Sequence, residues 1–226
     1  MIRSCSGMFM LLLALGPNQA ISGSQGPTGP DRLPRLTPVT AFTLHGVPGG
    51  IRTMGDFQIL KDGRVVMIDI EARRVAVFGA DGRFERFLAL PRAISPENEF
   101  ISRLTALPDG GLVIADGQGN RFLFYDAALD PGPVVPFGIS LSIVHDFVRH
   151  PSGDLFIAAC GTKDNKVFHR FDRLGRHLRS SVEPPALPGP GRGAWCGGSL
   201  AVDPEDGTLW MSFLMPYEIL HLSLDG

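Results

Sequence analysis

Asp56, Arg103, His145 and Asp146 are the residues of this 226-residue chain whose types and spacing could do chemistry together. An arginine presents a planar fork of donors that fits a carboxylate. A histidine titrates near neutrality and can act as base or metal ligand. Set around one opening with two aspartates, they would hold a polar ligand through charge-assisted hydrogen bonds. The plainer use of such a group is mutual pairing along a wetted channel. Trp195 adds an aromatic surface of the kind favoured at binding hot spots. Cys160 and Cys196 bring a different chemistry. In an oxidising compartment they could close a disulfide; otherwise they are two separate buried thiols.

A repeat gives these residues a common level. The stretches "FQILKDGRVVMIDIEARRVAVFGADGRFERF" from Phe57, "LTALPDGGLVIADGQGNRFLFYDAALD" from Leu104, "FVRHPSGDLFIAACGTKDNKVFHRFDRLGRHLRS" from Phe147 and "LAVDPEDGTLWMSFLMPYEILHLSLDG" from Leu200 share one rhythm. Each runs apolar strand, tight turn ending in Gly, hydrophobic strand, polar loop, third strand and second turn. The turn glycines Gly63, Gly110, Gly153 and Gly207 recur at intervals between 43 and 54 residues. Asp-Gly and Ser-Gly supply the positive φ of a tight hairpin. Multi-stranded repeats of this length predict an all-β chain, a β-propeller with about four four-stranded antiparallel blades. Within one repeat, Asp116, Asn120 and Arg121 are expected to order the loop between the second and third strands.

The segments "DGRVVMIDIEARRVAVFGADG" (62–82) and "DGGLVIADGQGNRFLFYD" (109–126) resemble the NHL and TolB-like six-bladed β-propeller superfamily. The resemblance covers roughly residues 50–226 and rests on residues that build turns and strands, so it speaks to fold and not to activity. It implies about two more blades than the four visible. The chain is therefore expected to be part of a six-bladed ring, the alternative being a small closed ring. The blades are expected at about 50–90, 100–137, 143–182 and 197–226, in a propeller of residues 38–226. Residues 39–46 could serve as the outermost strand that closes the last blade.

The repeat register fixes the candidate site. Short Gly turns lie on one face of a propeller, and the loops between second and third strands and between blades lie on the other. Function concentrates on long loops held by a rigid scaffold. Counting back from the turn glycines places Gly55, Ser102, His145 and Gly198 at the start of the innermost strands on the long-loop face. Asp56, Arg103, Asp146 and Ser199 follow them. Trp195 sits in the long loop before the fourth blade. The apolar "FLMPY" (213–217) stands where other blades carry polar loops, either as a binding surface or as a face covered by further blades.

The N-terminus reads separately. Arg3, the apolar run "MFMLLLAL" and the small-residue stretch after it resemble a secretory signal peptide over residues 1–24. A Pro/Gly-rich linker follows at 25–37. The chain is thus expected to be secreted or periplasmic, with no membrane span once processed. Net charge is −2, which leaves no basic field for a phosphate backbone and excludes nucleic acid as a partner. No G-x-S-x-G, H-E-x-x-H or phosphate loop occurs. The expected role is a scaffold that binds a protein, peptide or glycan, with no cofactor. The alternative is a channel-centred hydrolase or lyase, since relatives implied by the resemblance include metal-dependent lactonases and streptogramin lyases. A divalent metal enters only under that alternative. Gly55, Ser102 and Gly198 occupy places where a ring of metal ligands would need donors.

Overall fold

The computed structural model describes residues 43–91, 103–161, 163, 165–185, 198–203, 205–213 and 218–224. Alternating apolar strands and glycine turns build four antiparallel sheets. The first joins β1 (Met54–Ile59), β2 (Val65–Asp69), β3 (Arg74–Phe78) and β4 (Phe84–Phe87) in sequence order. The second joins β5 (Arg103–Ala106), β6 (Leu112–Asp116), β7 (Arg121–Tyr125) and β8 (Pro131–Pro136). The third joins β9 (Leu141–Arg149), β10 (Leu155–Gly161), β11 (Phe168–Phe171) and β12 (His177–Ser181). The fourth holds β13 (Gly198–Val202), β14 (Leu209–Phe213) and β15 (Glu218–Leu222), three strands among the described residues. The four sheets stand as successive blades of a β-propeller, with innermost strands β1, β5, β9 and β13 packed in that order.

The turn glycines do what the repeat requires. Gly63, Gly110, Gly153 and Gly207 have φ of 87°, 92°, 100° and 75°. At Gly207 a Cβ would also lie 2.7 Å from His150 Nε2. That ring is in use: Nδ1 accepts the Ser152 N–H, so Nε2 carries the proton and donates to the Gly207 carbonyl at 2.7 Å. The turn of the third blade is thereby tied to that of the fourth.

Strand alternation explains how the blades stack, since successive side chains face opposite sides of a sheet. Val66, Ile68, Val75 and Val77 of the first blade pack against Leu104, Leu112, Ile114 and Leu123 of the second. The other face of the second blade, with Val113, Ala115 and Phe122, packs against Phe147, Leu155, Ile157 and Phe171 of the third. Phe156, Ala158 and Phe168 then meet Leu200, Leu209 and Met211 of the fourth. Strands β2 and β6 are buried at every position because both of their faces are covered. The far face of the fourth blade differs: Trp210 is 41% exposed and Ile219 72%, with Trp210 stacked on His221.

Two expectations need correction. The innermost strand of the third blade begins at Leu141, four residues before His145. Strand β10 runs on to Gly161 and pairs with Leu141 there, through two register shifts. His145 and Asp146 therefore lie in mid-strand, whereas Arg103 and Gly198 do open theirs. The described part of the candidate closing strand joins the first blade. The His45 amide donates to Gly82 O at 3.0 Å, and the Phe84 amide donates to His45 O at 2.9 Å. Leu44, Val47 and Ile51 cover the first blade's free face. Residues 39–42 of that segment, the expected signal peptide and the linker lie outside the described residues.

Candidate functional site

The loops between second and third strands hold the best-ordered charges. Asp69 ends β2 and Arg74 opens β3, directly opposite each other in the ladder. Asp69 is fully buried and accepts hydrogen bonds from the amides of Arg52, Thr53 and Ala72 and from Arg74 Nε. Burial pushes its carboxyl up, but those four donors outweigh it and hold the pKa below the ordinary carboxylate value. The second blade repeats the arrangement. Asp116 accepts from the Gly119 amide at 2.9 Å and from Arg121 Nε at 2.8 Å. Asn120, at φ 48°, receives the Leu141 amide on Oδ1 at 2.6 Å. These residues order loops, as expected for Asp116, Asn120 and Arg121, and Asn120 also anchors the start of the next blade.

The four residues singled out on the inner strands are all partly buried. Asp56 and Asp146 have the same bonding pattern. Asp56 Oδ1 accepts its own neighbour's amide, Phe57, at 2.8 Å, and Oδ2 accepts the Leu104 amide of the second blade at 2.9 Å. Asp146 Oδ1 accepts from Phe147 at 2.8 Å, and Oδ2 accepts from Leu200 of the fourth blade at 2.7 Å. Each aspartate clips the innermost strand of the next blade. This role was not legible at the sequence level, where both were read as ligand contacts.

The group also shares one electrostatic neighbourhood. Burial is the largest influence on Asp56 and raises its pKa; the Leu104 and Phe57 amides and the Arg103 charge pull it back, and Asp146 adds to the rise. Burial lowers the pKa of His145, and Arg103 lowers it further. Both influences favour the uncharged form of the His145 ring. Its Nε2 lies 3.7 Å from Cys160 Sγ. Cys160 is disulfide-bonded, and the chain's other two cysteines, Cys5 and Cys196, lie outside the described residues. Trp195 lies outside them too, as do Leu214–Tyr217 of the "FLMPY" stretch.

A second feature of the long-loop face lies off the axis. A cleft of about 510 Å³ opens between the second and third blades, lined by Asn120, Ile139, Ser140, Leu141, Lys163 and His169 among others. Nothing in the register pointed to it, because it depends on the gap between two blades rather than on a position within one.

No family model matches the chain, and no curated protein matches it. Solved structures do. A streptogramin B lyase superposes with a TM-score of 0.57 at 14% identity, over 76% of this chain and 52% of that one. A Bacteroides fragilis protein assigned to export by its name gives 0.55 at 13%, over 80% and 53%. A catalytically inactive histidine-to-alanine variant of virginiamycin B lyase from Staphylococcus aureus, with quinupristin, gives 0.52 at 16%, over 83% and 60%. The chain spans about half the length of the first two. At these identities the likeness establishes the β-propeller fold and leaves function to the site.

Proposed function

We propose that this chain is an exported β-propeller scaffold that binds a protein, peptide or glycan on its long-loop face. The proposed site is the inner-strand group of Asp56, Arg103, His145 and Asp146, with Trp195, which lies outside the described residues, as a further contact on the strength of its place in the sequence. The observation that carries this reading is the place of Arg103: it opens β5, which packs between β1 with Asp56 and β9 with His145, and its charge acts on both residues. A guanidinium at that junction, beside an imidazole whose uncharged form is favoured, is suited to an anionic group of a partner. Export is supported by the apolar N-terminal run and by the neighbour named for export. Among the described residues no helix is long and apolar enough to cross a membrane.

The test is a binding screen of the purified chain against immobilised acidic peptides and uronic-acid or sulfated glycans. Arg103→Ala is expected to weaken the selected ligand by roughly 1.5–3 kcal/mol, the worth of a charged hydrogen bond. Unchanged affinity would refute the mouth as the site.

One observation favours a second reading, a channel-centred lyase or hydrolase. Burial and the Arg103 charge favour the uncharged form of His145, the form a general base needs, and a histidine is what inactivates the lyase neighbour when replaced. Its rate would rise with pH through the lowered pKa of His145, below the ordinary value near 6.5.

We further propose Cys196 as the partner of Cys160. Peptide mapping without reductant should return a Cys160–Cys196 linkage, and reduction should cost about 2–4 kcal/mol of stability. A Cys5–Cys160 linkage or a free Cys160 thiol would contradict the pairing.

A further inference from the structure

The cleft between the second and third blades is distinct from the axial mouth. Its walls come from three separate segments: the β6–β7 loop, the β8–β9 connection and the β10–β11 loop. Asn120 holds the first two together. Its carbonyl accepts the Phe137 amide at 2.8 Å and its Oδ1 accepts the Leu141 amide at 2.6 Å. The Leu141 bond fixes which end of the side-chain amide is oxygen. The NH₂ end makes no hydrogen bond within the described residues and remains a donor for a ligand. Lys163 brings a second donor and a full positive charge from the β10–β11 loop; it is exposed and forms no ion pair within the described residues.

His169 is a fixed wall. It is fully buried, with Nε2 donating to the Ala159 carbonyl at 3.3 Å and Nδ1 2.9 Å from Ser180 Oγ. Both ring nitrogens are engaged, so the ring shapes the cleft and adds no hook for a ligand. None of the described lining residues is acidic, and none is Phe, Tyr or Trp. The apolar part of the wall comes from Pro136, Ile139 and Leu141, and Ser140 and three glycines complete the described lining.

This composition selects a ligand. One ammonium and one amide NH₂, with no acid among the described lining residues, suit the two oxygens of a carboxylate. The aliphatic wall suits a branched apolar side chain next to it. With no aromatic ring among the described lining residues, the usual platform for a sugar ring is not offered. A long alkyl chain would need a continuous apolar tunnel, and this lining alternates polar and apolar groups. Its volume lies within the range of small-ligand sites. We infer that the cleft binds the C-terminal carboxylate of a peptide ending in an aliphatic residue, with Lys163 and Asn120 on the carboxylate and Ile139 and Leu141 around the last side chain.

The experiment is a calorimetric titration of the full chain with N-acetyl-Ala-Ala-Leu as the free acid, with its C-terminal amide, and with octanoate. The free acid should bind, and the amide should bind about tenfold more weakly, the effect of losing one charge-assisted hydrogen bond. Lys163→Gln should reproduce that loss for the free acid; being on an exposed loop, it leaves the fold intact. Lys163→Arg should retain binding. Arg103→Ala, at the axial mouth, should have no effect, so that failure of one site is separable from failure of the other. Equal binding of acid and amide would overturn the inference. So would octanoate binding as tightly as the peptide, unchanged affinity in Lys163→Gln, or no binding of the free acid.

Discussion

Asp69→Ala is expected to lower unfolding free energy by about 3 kcal/mol, the low end for breaking a buried ion pair by removing one partner. The low end applies because the Arg74 side chain keeps 23% exposure and can recover water. The Arg52 and Thr53 amides belong to exposed residues and can turn to solvent, while the guanidinium loses its carboxylate. Urea denaturation of the variant against the parent chain measures the difference; a change under about 1 kcal/mol would mean that the loop is held by backbone contacts alone. The pH dependence has a defined sign. Asp69 has its pKa lowered in the fold, so its stabilisation is complete above the unfolded-state value and is lost as pH falls through the folded one. Asp56 has its pKa raised, so its contribution runs the other way and declines as pH rises from the unfolded-state value through the folded one. Acid unfolding of the Asp69 variant should be less steep than that of the parent below about pH 4.

Asp146→Ala should separate the third and fourth blades. It removes the acceptor of the Leu200 amide, a bond of 2.7 Å between inner strands, and strands that amide at a buried residue. The cost is roughly 1.5–3 kcal/mol for the charged hydrogen bond alone. Amide exchange distinguishes this from a general loss of stability. Leu200 and the rest of β13 should lose protection before β2 or β6, which are buried throughout and lie in other blades. Uniform loss of protection across all four blades would refute the clip. Asp56→Ala should do the same to Leu104 at smaller cost, because it also relieves the burial that raises the Asp56 pKa.

The blades were legible because their determinants are local. Strand alternation and a positive-φ glycine every repeat are written into consecutive residues, and all four turn glycines take the required conformation. The ordering role of Asp116 and Arg121 was legible for the same reason, since both lie within one loop. The register also named four inner-strand residues that share a neighbourhood. What two of them do there was not legible. The bonds from Asp56 to Leu104 and from Asp146 to Leu200 cross 48 and 54 residues and depend on how one blade stacks on the next. The early start of β9 was missed because the third blade's second strand runs long and draws Leu141 into the ladder. The cleft at Lys163 and Asn120 was missed because it belongs to neither blade alone.

The proposed uptake of ligands at the axis of the long-loop face is open to a paired affinity measurement. The tightest acidic ligand from the binding screen is titrated into Arg103→Ala and into Asp81→Ala. Asp81 lies on the short-turn face, where its side chain is 62% exposed and, among the described residues, pairs with the side chain and amide of Arg83 in its own turn. Arg103→Ala is expected to lose roughly tenfold or more in affinity, and Asp81→Ala to keep parent affinity. Parent affinity in Arg103→Ala with a loss in Asp81→Ala would place the binding surface on the opposite face and contradict the account.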